Sequence, residues 1–144
     1  MLKRLGGLAA RPLRGRAASS RRRQQAIDEL LSLARESFVQ VQDAWDRADM
    51  GALAGLATAP LLEELRLQLA HRGPGLNHTE VISLQARLLA LEELHEAFVA
   101  SVEFTGVIRE QRDQGPEPFR ELWLLANVKA AGAGWKLARV QSLS

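Results

Sequence analysis

The chain has 144 residues, 47% of them hydrophobic, which is enough for one domain with its own core. It contains no Cys and no Tyr, which excludes disulfides, thiolate metal sites, cysteine nucleophiles and phenolic hydrogen-bond donors. The net charge of +2 conceals a division. Residues 1–23 hold eight basic residues and no acid, whereas residues 24–144 hold 11 basic and 17 acidic residues.

This division predicts two parts with separate roles. Gly6, Gly7, Pro12 and Gly15 disfavour a stable helix, so residues 1–23 are predicted to be a basic disordered tail or linker. Residues 24–144 are predicted to form the folded domain.

The basic segment has three interpretations. It is a flexible linker or a start left by an upstream truncation, a contact with anionic lipid, or an Arg-rich mitochondrial transit peptide. Binding of nucleic acid is disfavoured because no aromatic residue separates the arginines and the folded part is acidic. The candidate contacts with anionic lipid are Arg11, Arg14, Arg16, Arg21, Arg22 and Arg23.

Apolar residues at three- and four-residue steps predict a helix from about residue 22 to 48. Phe38 and Trp45 on this stripe are expected to dock together against a sheet. Asp49 is a candidate N-cap for a short second helix. Thr58 is a candidate N-cap for a third helix, which should end at Gly73–Pro74–Gly75.

A period of two then predicts four antiparallel strands, at about residues 80–91, 98–109, 119–128 and 135–143. The second strand shows the pattern most clearly. Its dry face should carry Phe98, Ala100, Val102, Phe104 and Ile108, and its wet face Ser101, Glu103, Thr105 and Arg109. Three helices followed by such a meander predict an α+β two-layer fold.

Six segments in order resemble the inner-membrane translocase subunit 44-like domain, in its short bacterial form. They are FVQVQDAWDRAD at 38–49, TAPLLEEL at 58–65, LNHTEVISLQARLL at 76–89, ASVEFTGVIRE at 100–110, FRELW at 119–123 and GWKLARVQ at 134–141. The resemblance covers about residues 25–142. It implies the nuclear transport factor 2-like (cystatin-like) α+β cone, with three helices packed on a curved sheet.

The resemblance further implies a non-catalytic scaffold domain without cofactors. Its expected partners are a protein, an anionic membrane surface or both, and an open sheet of this type makes a homodimer plausible. The expected location is peripheral to the inner membrane, on the cytoplasmic side in a bacterium, or alternatively the mitochondrial matrix. The competing hypothesis is a small-molecule binder or enzyme that uses the cone as a pocket.

Enzymes on this fold need convergent polar groups inside the cone. A ketosteroid-isomerase-like site requires a Tyr, which is absent. The candidates for an acid–Arg–acid set are Asp43, Glu103, Arg109 and Glu121.

Glu121 shares a strand face with Phe119 and Trp123, so it should be partly buried. The plainer expectation is a structural carboxylate paired with an Arg or a backbone donor. The candidate pocket lining is Trp45, Glu121, Trp123 and Trp135, although such tryptophans are more often core. The three histidines lack the spacing of a metal site.

Overall fold

The computed structural model describes residues 13–73 and 77–143, with side chains described from residue 19 onward. Three helices precede four strands. The helices are α1 (Leu13–Asp46), α2 (Met50–Leu56) and α3 (Ala59–Arg72), and the strands are β1 (Glu80–Glu93), β2 (Ala97–Arg109), β3 (Glu117–Val128) and β4 (Trp135–Ser142). All four strands pair antiparallel in the order β1-β2-β3-β4. The predicted α+β arrangement of three helices and a four-stranded antiparallel sheet is confirmed.

The first helix begins nine residues earlier than the sequence predicts. α1 starts at Leu13 and runs unbroken for 34 residues, so the expectation of a disordered tail is wrong for residues 13–23. One glycine costs a helix only about 1 kcal/mol, and the second half of α1 is fixed by packing. Ala48, with φ of 55°, turns the chain after the last helical residue. The remainder of the predicted tail, residues 1–12, lies outside the described residues.

The core forms between the second half of α1 and the inner face of the sheet. Ala100, Val102 and Phe104 of β2 are fully buried, as their alternation predicts. The Phe38 ring of α1 packs against the aromatic rings of this face. The buried hydrophobic core among the described residues comprises Leu30, Ala34, Phe38, Val41, Ala44, Leu53, Ala57, Leu61, Leu69, Ala100, Val102, Phe104, Trp123, Leu125 and Leu137.

The short helices begin and end largely where the sequence predicts. The Asp49 side chain accepts a hydrogen bond from the Ala52 N–H at 3.0 Å and caps α2. Thr58 holds the N-cap position of α3, but its side chain makes no capping hydrogen bond. Gly73, with φ of 87°, closes α3, a conformation that glycine adopts without steric cost.

The outer face of the sheet departs from the prediction at one position. Glu103 lies on this face, as its alternation requires, yet its side chain is only 8% exposed. Arg87 of β1 and Arg120 of β3 reach across from either side and bind its two carboxylate oxygens at 2.9 Å each. The wet-face acid is therefore buried beneath two arginines.

Candidate functional site

A cavity of about 190 Å³ lies between α1, α3 and the inner face of β3 and β4. Three of the four residues that the sequence suggested for a pocket line it, namely Trp45, Glu121 and Trp123. The remaining lining is mostly aliphatic, with two amides. Its members are Val41, Gln42, Leu61, Leu65, Gln68 and Val140.

Glu121 brings a carboxylate to this cavity. The Trp123 indole Nε1–H donates a hydrogen bond to Glu121 Oε1 at 2.9 Å. The expectation of an Arg or backbone partner for Glu121 is therefore wrong, because the two side chains sit two residues apart on one strand face. Within residues 13–73 and 77–143 no cationic side chain forms an ion pair with Glu121.

Trp123 serves both the core and the cavity. Its side chain is 1% exposed, and its ring lies 5.1 Å from the rings of both Phe38 and Phe104. The indole is therefore held rigidly, and its hydrogen bond fixes one oxygen of Glu121. The outcome combines the two alternatives that the sequence left open, core residue and pocket lining.

Trp45 is less buried than its place on the α1 stripe predicts. It remains partly exposed, and the Arg72 guanidinium of α3 lies 5.3 Å from its ring centroid. Arg72 Nη1 also donates to the Trp45 carbonyl oxygen at 2.6 Å. Phe38 has the rings of Phe104, Phe119 and Trp123 around it. Trp45 packs, partly buried, against the same core and also contacts Arg72 and the cavity.

Trp135 is not among the residues that line this cavity. It begins β4 and pairs with Asn127, near the opposite end of β3 from Glu121. There it packs, partly buried, against the core. Distance along the sheet separates it from the other three candidates.

The candidate acid–Arg–acid set does not assemble. Asp43 is exposed on α1 and pairs with Arg47 at 3.0 Å. Glu103 lies on the outer face of the sheet, and Arg109 forms a long pair with Glu80 at 3.8 Å. Glu121 thus stands apart from the other three proposed members.

Asp46 has a structural role that the sequence interpretation missed. It is 7% exposed at the last position of α1 and accepts hydrogen bonds from Thr79 at the approach to β1. A cavity of about 460 Å³ borders it, lined also by Asn77 and His78. The available signal was the AWD sequence at 44–46, in which Asp46 follows directly on the apolar stripe.

The basic segment continues into the first half of α1. Arg21 and Arg22 are exposed, and the Arg23 guanidinium donates to Ser20 Oγ at 3.3 Å. No residue from 19 to 29 is buried, so this half of α1 adds no side chain to the buried core. Arg11 and the side chains of Arg14 and Arg16 lie outside the described residues.

The described part of the chain offers neither a metal site nor a membrane span. No group of three or more His, Cys, Asp or Glu side chains converges within it. None of its helices has the combined length and apolarity that crossing a bilayer requires.

Two of three comparisons with known proteins find a match. No curated protein sequence matches it at a significant level. Among solved structures, a ketosteroid isomerase-like protein from Erwinia carotovora atroseptica SCRI1043 is similar, with 15% identity and a TM-score of 0.40. That alignment covers 79% of this chain and 96% of the other, a similarity too low to support an inference about the site. The family model of the Tim44-like domain matches residues 16–142, including most of the extended α1. The chain therefore belongs to the Tim44-like domain family, as the ordered segments of its sequence indicated.

Proposed function

We propose that this protein is a non-catalytic interaction domain that attaches peripherally to an anionic membrane surface through the basic first half of α1. The observation that carries the proposal is the absence of buried side chains from residue 19 to 29 of α1. From residue 13 to 29 the helix would extend about 25 Å at 1.5 Å per residue, and none of its described side chains there is buried. Arg21 and Arg22 are therefore available to a surface.

The charge distribution supports one orientation of the domain on that surface. Residues 24–144 carry a net charge of −6, whereas residues 1–23 carry only positive charge. An anionic surface would attract the basic segment and repel the acidic domain. The sheet and α3 would then face away from the lipid, toward a protein partner. On the basis of the family resemblance, we place the domain on the cytoplasmic side of the inner membrane in a bacterium. The alternative is the mitochondrial matrix.

The test compares binding to vesicles of phosphatidylcholine alone and to vesicles that also contain phosphatidylglycerol. The double substitution Arg21→Gln/Arg22→Gln should weaken binding to the anionic vesicles roughly 20–30-fold, since each arginine near such a surface is worth about 1 kcal/mol. Arg112→Gln/Arg139→Gln removes the same charge from exposed positions elsewhere and should change binding little. Equal binding by both double variants would contradict the proposed orientation.

Removing residues 1–23 tests whether the basic segment binds the membrane while the rest of the chain folds without it. The buried positions of α1 begin at Leu30, so the shortened chain should keep its fold and lose vesicle binding. A cooperative thermal transition would establish the first point. Unchanged vesicle binding by the shortened chain would overturn membrane attachment through this segment.

The outer face of the sheet is the surface that we propose for a protein partner, with a second copy of the chain as the first candidate. Leu122 and Leu124 share this face with Glu103 and Ser101, their register partners, and both leucines are partly exposed. Sedimentation of the protein over a range of concentrations tests self-association. Leu124→Arg should shift a dimer to monomer, and a sedimentation coefficient that is monomeric at all concentrations would exclude the homodimer.

Catalysis in the cavity is the weaker alternative. Of the acidic and basic candidates weighed for an acid–Arg–acid set, only Glu121 reaches the cavity. A lone carboxylate with two amides can bind a ligand but lacks the paired acid and base that proton transfer between two sites requires.

A further inference from the structure

The Glu121 carboxylate in the cavity between α1, α3 and the sheet has no cationic partner among the described residues. Glu103 binds Arg87 and Arg120, whereas the partner of Glu121 within residues 13–73 and 77–143 is the neutral indole of Trp123. A carboxylate held beside apolar side chains gains free energy when a cation joins it.

We propose that this cavity binds an ammonium group carried on a short apolar stem, such as an alkylamine or a lysine side chain. Glu121 Oε1 is occupied by the Trp123 N–H, which leaves Oε2 to accept a hydrogen bond from the ligand. The amide side chains of Gln42 and Gln68, which also line the cavity, supply two further carbonyl acceptors. An ammonium group has three N–H donors, so these groups match its hydrogen-bonding capacity.

The rest of the cavity suits the stem. Val41, Leu61, Leu65 and Val140 are aliphatic and would contact methylene groups. The volume of about 190 Å³ would hold roughly six waters at liquid density, which is enough for a short alkyl chain with its head group. Trp45 adds an electron-rich indole, a side chain that attracts cations at its ring face.

The protein itself shows that Trp45 accepts a cation. The Arg72 guanidinium lies 5.3 Å from its ring centroid. Arg72 does not line the cavity, because it is one helical turn beyond Gln68 and is engaged with the Trp45 carbonyl oxygen. The cation that we propose for Glu121 is therefore supplied by a ligand and not by Arg72.

The experiment uses the full chain and n-butylammonium chloride, with n-butanol as the neutral isostere and sodium chloride as the salt control. The probe is the indole N–H resonance of Trp123, assigned by its loss in Trp123→Phe. Butylammonium should shift this resonance saturably with a dissociation constant of roughly 1–10 mM, and butanol should not. Equal shifts with butanol, or none with either, would overturn the proposal.

Two variants test whether the Glu121 carboxylate is the group that binds the ammonium ion. Glu121→Gln should weaken butylammonium binding about tenfold or more, because the ligand loses a charge-assisted hydrogen bond, while the exposed control Glu110→Gln should bind as the parent does. If Glu121→Gln fails to fold, Gln68→Lys provides the second test. Gln68 is exposed, and a lysine there would offer a tethered ammonium that competes for Glu121. Undiminished binding by either folded variant would contradict the site.

A second ligand distinguishes the two sources of the ammonium group. An end-blocked Ala-Lys-Ala peptide that binds as tightly as butylammonium would identify a lysine of a partner protein, and binding of the free amine alone would identify a small molecule. Neither result depends on membrane attachment, since Glu121→Gln leaves the basic segment of α1 unchanged and should bind anionic vesicles as the parent does.

Discussion

The carboxylate of Asp46, at the end of α1, accepts two hydrogen bonds from Thr79, just before β1. The Thr79 backbone N–H donates to Oδ2 at 2.7 Å, and its hydroxyl donates to Oδ1 at 3.0 Å. The Asp46 carbonyl oxygen also accepts from the Asn77 N–H at 3.1 Å. One residue thus fixes the approach to the sheet against the helix that covers it.

Replacing Asp46 with Ala should destabilise the protein by about 1.5–3 kcal/mol. The substitution removes charge-assisted hydrogen bonds and leaves the Thr79 N–H without its acceptor. Urea unfolding followed by tryptophan fluorescence measures the loss. Asp43→Ala, one turn earlier on α1, is the matched control. Asp43 is 63% exposed in a surface ion pair, so its loss should change stability by less than about 0.5 kcal/mol. Equal losses would contradict the special role of Asp46.

The period of the sequence was sufficient to predict the elements and their inner faces. Ala100, Val102 and Phe104 alternate along β2, and all three lie in the core because alternation along a strand decides the face. The burial of Glu103 could not be predicted in this way. It depends on the register that places Arg87 directly opposite and brings Arg120 within reach from the other side.

The candidate site was predictable in part for the same reason. Glu121 and Trp123 share a face by alternation, so their meeting follows from the sequence. The position of Trp135 depends on distance along the sheet, and that distance is set by pairing with β3 rather than by local pattern. The early start of α1 at Leu13 likewise reflects a helix whose later turns are held by packing, which outweighs the local cost of Gly15.

Gly106 of β2 lies close to the backbone of β1 at Ser83. A Cβ at this position would be 2.1 Å from the Ser83 carbonyl oxygen and 3.0 Å from a ring carbon of Phe119. The nearer contact is with backbone beside the irregularity between Val81 and Ser83, so rotation of a side chain cannot relieve it. Gly106→Ala should therefore cost about 2–3 kcal/mol of stability, measured by urea unfolding.

Gly55 provides the matched control for that substitution. It lies within α2, and nothing stands within 4 Å of an added Cβ. Gly55→Ala should stabilise the protein by about 0.5–1 kcal/mol, because alanine loses less backbone entropy in a helix. If both substitutions changed the free energy of unfolding in the same direction, the close approach at Gly106 would not be the cause of its effect.

Phe38, rather than Trp45, anchors α1 on the sheet. Its ring centroid lies 4.9, 5.4 and 5.1 Å from those of Phe104, Phe119 and Trp123. Phe38→Ala should cost about 3–5 kcal/mol of unfolding free energy, the range for a fully buried ring. Trp45→Ala should cost less, since Trp45 remains partly exposed. If Trp45→Ala lost more unfolding free energy than Phe38→Ala in urea, Trp45 and not Phe38 would be the main anchor of α1.

The next residue on the same helix tests whether the effect of Phe38 comes from packing. Val39 is 49% exposed, so Val39→Ala removes an apolar side chain without opening a cavity in the core. Its effect should be within about 0.5 kcal/mol. A loss comparable with that of Phe38→Ala would instead indicate sensitivity of the helix itself.

The ion pairs of Glu103 make stability depend on pH in a defined direction. The hydrogen bond from Arg120, followed by that from Arg87, lowers the pKa of Glu103 in the folded protein. The unfolded chain has an ordinary pKa of about 4.3. A lowered folded pKa means that the unfolded state takes up a proton first as the pH falls, so stability contributed by Glu103 is complete above about pH 4.3 and is lost as the pH falls through the folded value.

Glu103→Gln isolates this contribution because it keeps the shape and removes the titrating group. Urea unfolding should find the parent more stable than Glu103→Gln by a constant difference from neutral pH to about pH 5. The difference should shrink as the pH falls below about 4.3, because the unfolded parent then takes up a proton, and it should be smallest once the folded carboxylate is protonated as well. Glu110→Gln, at an exposed position just after β2, should show no such convergence with the parent. A difference that stayed constant through the acid range would mean that Glu103 acts through its shape rather than through its charge beneath the two arginines.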